Sequence, residues 1–555
     1  MSTWLLPLEA LPAPSTGAAV LVALLVGAAG ALYAYVTRHF GYWRRRGVPF
    51  LRPLPVAGNL KDVLLFRKHV GDVLHEVYTQ MKELPYMGLF FYDAPVFFIK
   101  DAELFKNIVT NDFEYFQDRG FSPVKADLVF SETLFARKGD RWKDLRLKLN
   151  PAFTVTKLKR FYVLLQQKAS NLDHYFDDAA RKGEPCDVAN ACARYTMDAI
   201  ATVGFGIETT ALTDDNDPLH RLLRNIFVYS KLYLHASLAT FVDMQLLRLL
   251  RLSLVPAPLA AFLRSTIWAA ARERERTGTL GARRDILDLL LELRDKGRIA
   301  ADEDTADGGD SGKRIADDCN GRSAVENGTA GNDKGAGSIE NDMDGDVLIA
   351  QAFSVFSAGF DTTSSTMSFA LYHLAKDQDI QDRLRRELQK VLHDNDGILT
   401  YDALQSVEYL DMIFSETLRL YPNLPFLDRT CTKNYNIPGT DIVIEKGVPV
   451  FGSLYGIQRD PEFFPDPDRF DPERFSAEKK ANIPKSCFVP FGGGPRKCIG
   501  FKLAYLQGKL GLAHLILNYK FWPCAATPSK MEYNLHSFLL SPRNGVPLMC
   551  SRVEK

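Results

Sequence analysis

A long apolar stretch lies near the amino terminus of the chain. Residues 17–36 read GAAVLVALLVGAAGALYAYV and carry no charge. At about 1.5 Å per residue, a helix of this length crosses the roughly 30 Å hydrocarbon core of a bilayer. The pattern predicts a membrane anchor over residues 1–37.

The residues that flank this stretch indicate its orientation. No Lys or Arg precedes it, whereas Arg38 and the run 44–46 follow it. The positive-inside rule then places the amino terminus on the far side of the membrane and the body in the cytosol. A cleaved signal peptide is the alternative, but that reading lacks a basic leader and has a long apolar run. Residues 38–60 are expected to be a basic stop and a proline-rich hinge, because three prolines oppose helix there.

Beyond residue 61, apolar positions recur mostly at helical spacing. The predicted helices cover 140–153, 283–297, 352–371, 379–397 and 499–517. Strand-like patterns cover 95–100 and 442–452. We therefore expect a mainly α fold with small β-sheets over 61–555. The stretch 302–346 contains no Phe, Tyr, Trp or Leu and is predicted to be a disordered insertion.

Composition excludes some classes of protein and leaves the chemistry open. The 68 basic and 68 acidic residues cancel, so the overall charge gives no reason to expect nucleic-acid binding. Eight cysteines occur without a CxxC pair, which argues against a zinc site or a disulfide framework. Most of these cysteines suit buried positions in a reducing compartment.

Cys498 stands apart because of the loop around it, FVPFGGGPRKCIGFKLA (488–504). Glycines precede it, Arg496 lies two residues upstream, and a predicted helix follows, so backbone N–H groups favour an anion there. Gly500 leaves room for something flat. These features suit a metal thiolate ligand beside a planar cofactor, and a structural cysteine in a glycine-rich turn is the alternative.

The pattern at Phe491, Gly494, Arg496, Cys498 and Gly500 resembles the haem-binding loop of the cytochrome P-450 family. The resemblance implies that Cys498 is the axial thiolate of iron in haem b, with Arg496 on a haem propionate and Phe491 shielding the sulfur. Such a ligand favours O–O cleavage.

Other motifs extend the resemblance. Glu416 and Arg419 in SETLRLYP, with Arg474 from PERF, match a structural charge network of the family. Asp361 and Thr362 in AGFDTT match its oxygen-activation segment, where an acid and a hydroxyl suit proton delivery.

Further arginines extend it upstream. The resemblance implies that propionates also bind the residues Trp142, Arg146, Arg119 and Arg429. The runs FEYFQDRG and NIPGTDIVIEKGVPV most resemble the microsomal branch that holds vertebrate drug-metabolising 3A and insect detoxifying enzymes.

The resemblance implies an endoplasmic-reticulum monooxygenase with a lumenal amino terminus. It would use O2 and electrons from an NADPH-dependent flavoprotein reductase, with cytochrome b5 as a further donor. A neutral lipophilic substrate, xenobiotic first and steroid or fatty acid next, would occupy an apolar pocket lined by Phe353, Phe356, Phe360, Leu424, Phe426, Phe538 and Leu539. The reductase would dock on a basic face formed by Lys138, Arg141, Lys143, Lys148, Lys157, Lys159 and Lys502.

Two alternatives stay open. A haem-thiolate isomerase or dehydratase would rearrange peroxides without reductase, but the pair of Asp361 and Thr362 favours oxygen activation. A non-catalytic haem-binding protein would explain Cys498 and leave that pair without a purpose.

Overall fold

The computed structural model describes residues 16–121, 127–209, 253–300 and 345–554, with five single positions between these ranges. Most of the predicted insertion at 302–346 lies outside the described residues. The prediction of a mainly α fold with small sheets is confirmed.

Helices before residue 210 form the first half of the body. In chain order they are α1 Thr16–Thr37, α2 Tyr42–Arg45, α3 Lys61–Leu64, α4 Val70–Gln80, α5 Ala102–Lys106, α6 Leu128–Ser131, α7 Gly139–Leu149, α8 Val155–Ser170, α9 Leu172–Lys182 and α10 Val188–Phe205. A π-helical turn, Asn107–Asn111, follows α5, and short 3₁₀ turns lie at Phe113–Tyr115 and Asn150–Phe153.

The second half contains the longest helix. Its helices are α11 Ala257–Thr277, α12 Ile286–Lys296, α13 Asp346–Lys376, α14 Gln378–His393, α15 Tyr401–Gln405, α16 Glu408–Leu420, α17 Leu454–Ile457, α18 Ala477–Lys480 and α19 Phe501–Asn518. Two 3₁₀ turns lie at Pro472–Phe475 and Gly494–Arg496.

Within the described ranges, three small sheets lie at the edge of the helical body. Their strands are β1 Tyr86–Phe91, β2 Ala94–Ile99, β3 Cys186–Asp187, β4 Phe426–Thr430, β5 Tyr435–Asn436, β6 Val443–Ile444, β7 Pro449–Ser453, β8 Tyr519–Pro523 and β9 Pro547–Arg552. The first sheet has the order β1-β2-β7-β4, with β2 and β7 parallel and the other pairs antiparallel. The second has the order β3-β9-β8, and the third pairs β5 with β6.

Helix ends follow local capping chemistry. The Asp377 side chain accepts from the Ile380 N–H to begin α14, and Asp285 likewise caps α12. Gly297 adopts the left-handed conformation that ends α12. The predicted helix at 140–153 is shorter than expected, since α7 ends at Leu149 and Pro151 enters a 3₁₀ turn.

One strand prediction needs correction. The pattern at 442–452 divides into β6 and β7, which belong to different sheets. Between them Gly447 has a φ of 93°, so the chain turns there. A run of apolar residues does not reveal this turn, because Val448 and its neighbours continue the pattern on its far side.

Helix α1 differs from every described helix of the body. Its span Ala19–Thr37 has a mean hydropathy of 2.2 and is 0% buried, so it is long and apolar enough to cross a membrane. The segment after it is held firmly to the body. Trp43 is buried against Gly88, and its indole N–H donates to the Leu89 carbonyl over 3.0 Å. Arg46 pairs with Glu445 over 2.5 Å.

Helices α13 and α19 cross in the core. A Cβ at Gly508 would lie 3.4 Å from Thr363, and one at Gly511 would lie 2.5 Å from Met367. These two glycines of α19 therefore let its backbone approach α13 closely. The crossing fixes the start of α19 relative to the middle of α13, where the two sets of candidate residues lie.

Candidate haem site

The loop before α19 is shaped by its glycines. Gly492 and Gly494 have φ values of 77° and 64°, which side chains other than glycine rarely adopt. A Cβ at Gly494 would also lie 2.0 Å from the Val109 carbonyl oxygen in the π-helical turn. The Cys498 N–H donates to the Phe491 carbonyl over 2.9 Å and closes the loop. The path of the loop that holds Cys498 is therefore set largely by backbone geometry.

Cys498 has an unusual environment among the described cysteines. It is exposed, Cys524 is half-buried, and the others are buried. Yet burial raises the pKa of the Cys498 thiol, although the Gly500 N–H and Arg146 oppose that rise. An accessible but desolvated thiol lies on the wall of an internal cleft rather than on the outer surface.

Gly500 directly follows this thiol at the start of α19. Its φ is −89°, and a Cβ there would meet only Phe153, at an ordinary 3.8 Å. Neither its backbone nor the surrounding protein demands glycine at this position. A requirement for glycine would therefore come from a group outside the chain that presses against the loop.

Arg496 lies buried beside the loop. Its guanidinium donates to the carbonyls of Gln117 and Arg137, each over 2.9 Å, and lies 3.9 Å above the Trp142 ring. Desolvation, with Arg119 and Arg429 nearby, lowers the pKa of Arg496 to about 8. Trp142 is thus a platform for Arg496, which orients the guanidinium.

Arg429 is buried on strand β4 with an incomplete set of partners. It donates to the Asp428 and Gly493 carbonyls, but its Nε is buried and meets no acceptor among the described residues. Desolvation and Arg119 lower its pKa to about 9. Arg119 itself pairs with the fully buried Asp428 over 3.2 Å.

Arg146 completes the cationic group from α7. It donates to the Lys497 carbonyl over 2.8 Å, and desolvation lowers its pKa. Arg119 interacts electrostatically with Arg146, Arg429 and Arg496, and both Arg119 and Arg146 act on Cys498, so the four predicted arginines form one electrostatic group.

The cationic group calls for an anion that the described part of the chain does not supply. Its four arginines are opposed by two carboxylates, Asp118 and Asp428, which leaves two net positive charges. Desolvation and the neighbouring arginines lower the pKa values of Arg429 and Arg496, and the buried Arg429 Nε meets no acceptor among the described residues. Haem carries two propionates, and Cys498 offers one soft sulfur, so the residues present fit haem.

Asp361 and Thr362 lie on α13, on a stripe that stays accessible within a buried helix. Ala358, one turn before Thr362, is exposed, and Asp361 and Thr362 are partly so. Burial nevertheless raises the pKa of Asp361 to about 6. This combination again marks the wall of an internal cleft. No described residue pairs with the Asp361 carboxylate.

Helix α13 is continuous through these polar residues. The Thr362 hydroxyl donates to the Ala358 carbonyl over 2.6 Å, and Ser368 bonds back to Ser364 in the same way. Both hydroxyl donors are satisfied within the helix, which runs unbroken over Asp346–Lys376. Gly359 packs against α10, because a Cβ would lie 2.8 Å from Ile200.

The predicted charge network forms and is buried. Arg419 holds Glu416 through two bonds of 2.7 and 2.8 Å, and both side chains are fully buried. Arg474 lies 3.5 Å from Glu416, and the Asp471 N–H donates to the same carboxylate over 2.8 Å. The network ties α16 to the segment that leads into the cysteine loop.

The predicted pocket residues fall into two groups. Phe426 packs on Phe451 inside the first sheet, and Phe356 stacks on Phe205 of α10. The remaining predicted residues are either buried or half-buried and come from α13, the turn before β4 and the carboxyl-terminal loop: Phe353, Phe360, Leu424, Phe538 and Leu539.

Some site residues escaped the sequence reasoning. Asp428 is fully buried and accepts from Arg119 and from the Gly120 N–H over 2.7 Å. The acid within the apolar strand pattern FLDR could have indicated this buried pair.

The prediction that Lys157 lies on the exposed docking face is wrong. Lys157 is buried and donates to the Pro151 and Ala300 carbonyls.

Comparison with known proteins gives a consistent result. A family model described as Cytochrome P450 matches residues 48–307 and 329–549. Cytochrome P450 6k1 of Blattella germanica is 36% identical over 531 residues, covering 96% of each chain. Cytochrome P450 6a2 of Drosophila melanogaster is 34% identical over 547 residues, covering 96% of this chain and 100% of its own.

Proposed function

Because this chain belongs to the cytochrome P450 family, we propose that it is a membrane-anchored haem-thiolate monooxygenase. One atom of O2 enters a lipophilic substrate, the other leaves as water, and NADPH supplies two electrons. The observation that carries the proposal is the pairing of an accessible, desolvated Cys498 with a cationic group that lacks its anions.

When bound, haem supplies the site where O2 is held and reduced. Cys498 would hold it through its thiolate, and the Gly500 N–H would stabilise the negative sulfur. Arg119, Arg429 and Arg496 would bind its propionates. The loop glycines and the Glu416 network hold this side of the site in place.

Asp361 and Thr362 serve the opposite side of the cofactor. With a pKa raised to about 6, Asp361 exchanges protons readily near neutral pH. The Thr362 hydroxyl donates its hydrogen bond to the Ala358 carbonyl, and the lone pairs of its oxygen remain free to accept from a water in the cleft. Asp361 and Thr362 together move protons from bulk water towards the place where oxygen is reduced.

Helix α1 anchors this enzyme in the endoplasmic reticulum membrane with a lumenal amino terminus, because Arg38 and its neighbours follow the apolar span. Electrons come from an NADPH-dependent flavoprotein reductase on the same membrane, with cytochrome b5 as a further donor. Exposed Lys143 and half-buried Lys497 and Lys502 lie near Cys498 in the chain's fold and suit an acidic partner. The apolar pocket suits neutral xenobiotics.

Reconstitution tests the proposal. The membrane-bound protein is mixed with a reductase, NADPH and a lipophile panel, and product is measured with and without O2. We expect product that needs both NADPH and O2. Rearrangement of a hydroperoxide without NADPH would instead establish an isomerase. Haem binding without any turnover would indicate a non-catalytic protein.

A further inference from the structure

A chain of polar contacts runs from the middle of α13 to the carboxyl-terminal loop. Thr366 Oγ1 donates to the Thr362 carbonyl oxygen over 2.9 Å, and Asn423 Nδ2 donates to Thr366 Oγ1 over 2.9 Å. The Asn423 carbonyl accepts from the Leu540 N–H over 2.8 Å. Asn423 therefore contacts both the turn after Thr362 and the loop that carries the predicted pocket residue Leu539.

The direction of these bonds fixes the orientation of the amide. A threonine hydroxyl has one proton, and Thr366 gives it to the Thr362 carbonyl. Thr366 Oγ1 can then only accept from Asn423, so the amide nitrogen must face it. An aspartate at 423 would have the same shape but no proton to donate.

The arrangement has a cost that packing alone does not explain. Thr366 is 1% exposed and is followed by a fully buried stretch of α13, where an apolar side chain would be cheaper. Asn423 Oδ1 is buried and meets no donor in the described part of the chain. Because burying this polar pair is unfavourable in free energy, we expect the pair to hold the two segments in a particular arrangement.

We infer that Asn423 is a positioning residue for the reaction, an inference that rests on the proposed function. Through Thr366 it holds the α13 turn that presents Asp361 and Thr362. Through its own backbone it holds the 537–540 loop against the same turn. The proton-delivery residues and this wall of the substrate pocket therefore keep a fixed relation, and oxygen reduced in the cleft is directed to substrate rather than released as hydrogen peroxide.

Four variants test this contact. Asn423→Leu removes both the donor and the acceptor of the side-chain amide and keeps the backbone bond to Leu540. Asn423→Asp removes only the donor. Thr366→Val removes the hydroxyl at constant shape, and the double variant of Asn423→Leu with Thr366→Val closes the cycle. Asn395→Leu is the control, because the Asn395 amide bonds the Val391 carbonyl over 2.8 Å away from the site.

Two readouts are taken on the full-length holoprotein. Hydrogen–deuterium exchange is followed in peptides covering 358–368 and 536–542. With reductase and ethoxycoumarin as the lipophilic probe, product and hydrogen peroxide are each measured per NADPH consumed. We expect each single variant to lower product per NADPH about threefold to tenfold, as the loss of one hydrogen bond predicts, with haem content retained.

Exchange should rise in the 358–368 peptide for the Asn423 variants and in neither peptide for Asn395→Leu. The 536–542 peptide should stay protected in every variant, because the Asn423 backbone bond to Leu540 is kept. The double variant should be no worse than Thr366→Val alone, because Asn423 acts through Thr366. Unchanged exchange in 358–368, or unchanged product per NADPH in Asn423→Leu and Thr366→Val, would overturn the inference. If the unmodified protein makes no NADPH-dependent product at all, the proposed function fails, and the exchange readout still decides whether the Asn423 side chain holds the α13 turn.

Discussion

The two sides of the candidate cleft are built in opposite ways. The Cys498 side is a loop whose shape is forced by backbone geometry: positive φ at Gly492 and Gly494, and contact with the Val109 carbonyl. The α13 side is an uninterrupted helix on which Asp361 meets no described partner. One side holds a ligand still, and the other leaves a group free to change its protonation state.

This difference between the loop and the helix predicts where each side tolerates substitution. A loop held by backbone contacts fails when a glycine packed directly against another backbone gains a side chain, because the whole segment must move. A side chain on a stable helix can be exchanged without loss of the fold, so its effect appears in the chemistry. Three substitutions test this contrast.

Gly494→Ala should have the largest effect. Its Cβ would lie 2.0 Å from the Val109 carbonyl oxygen at a φ of 64°, so the loop cannot keep its path. We expect loss of haem binding, measured by haem content of the purified protein. Gly492→Ala is the matched control: its φ is 77°, but its nearest neighbour, Leu427, is 3.7 Å away. That variant should lose only about 1–2 kcal/mol and keep haem. Equal haem loss in both variants would contradict the contact argument.

Glu416→Gln should come next, because it removes support behind the loop. Arg419 would remain charged, fully buried and without its carboxylate. We expect a loss of about 3–5 kcal/mol in the free energy of unfolding, measured by denaturant titration. Glu273→Gln breaks an exposed pair with Arg276 at the same helical spacing and should leave stability unchanged. A Glu416 variant as stable as the Glu273 variant would remove the network's structural role.

Asp361→Asn should have the smallest effect on stability, and with the opposite sign. Burial raises the Asp361 pKa from 3.8 to about 6, so the folded state bears the cost of its charge above pH 6. The variant should gain about 1–3 kcal/mol at neutral pH, and the gain should vanish as pH falls to about 3, where the carboxyl is protonated in both the folded and the unfolded state. Product per NADPH should fall.

Asp379→Asn, at an exposed position of α14, is the control for that experiment. If Asp361→Asn leaves the free energy of unfolding unchanged or lowers it at pH 7, the Asp361 carboxylate lies in water rather than in a cleft.

The sequence indicates those parts of the site that short motifs carry. Cys498, Arg496 and the Glu416 network were expected from the resemblance of their motifs to the family, and the structure places Arg119, Arg146 and Arg429 in one electrostatic group with Arg496. The α13 and α19 helices follow from apolar periodicity.

Long-range contacts could not be predicted in this way. Gly359 reads as part of a motif, yet it packs on Ile200 of α10. The bond between Asn423 and Thr366 joins residues 57 positions apart. Lys157 reads as a surface cation and is buried, and one of its two carbonyl partners, Ala300, lies 143 positions away. Such contacts depend on how the elements pack, which no single stretch encodes.

The central claim is that Cys498 is the thiolate ligand of haem iron. The most direct test is the carbon-monoxide difference spectrum of the reduced protein, beside Cys498→Ser and the half-buried control Cys524→Ser. We expect the red-shifted band of thiolate-ligated haem in the unmodified protein and in the Cys524 variant. We expect that band to be absent from the Cys498 variant. A haem-loaded protein without that band, or a Cys498 variant that retains it, would contradict the account.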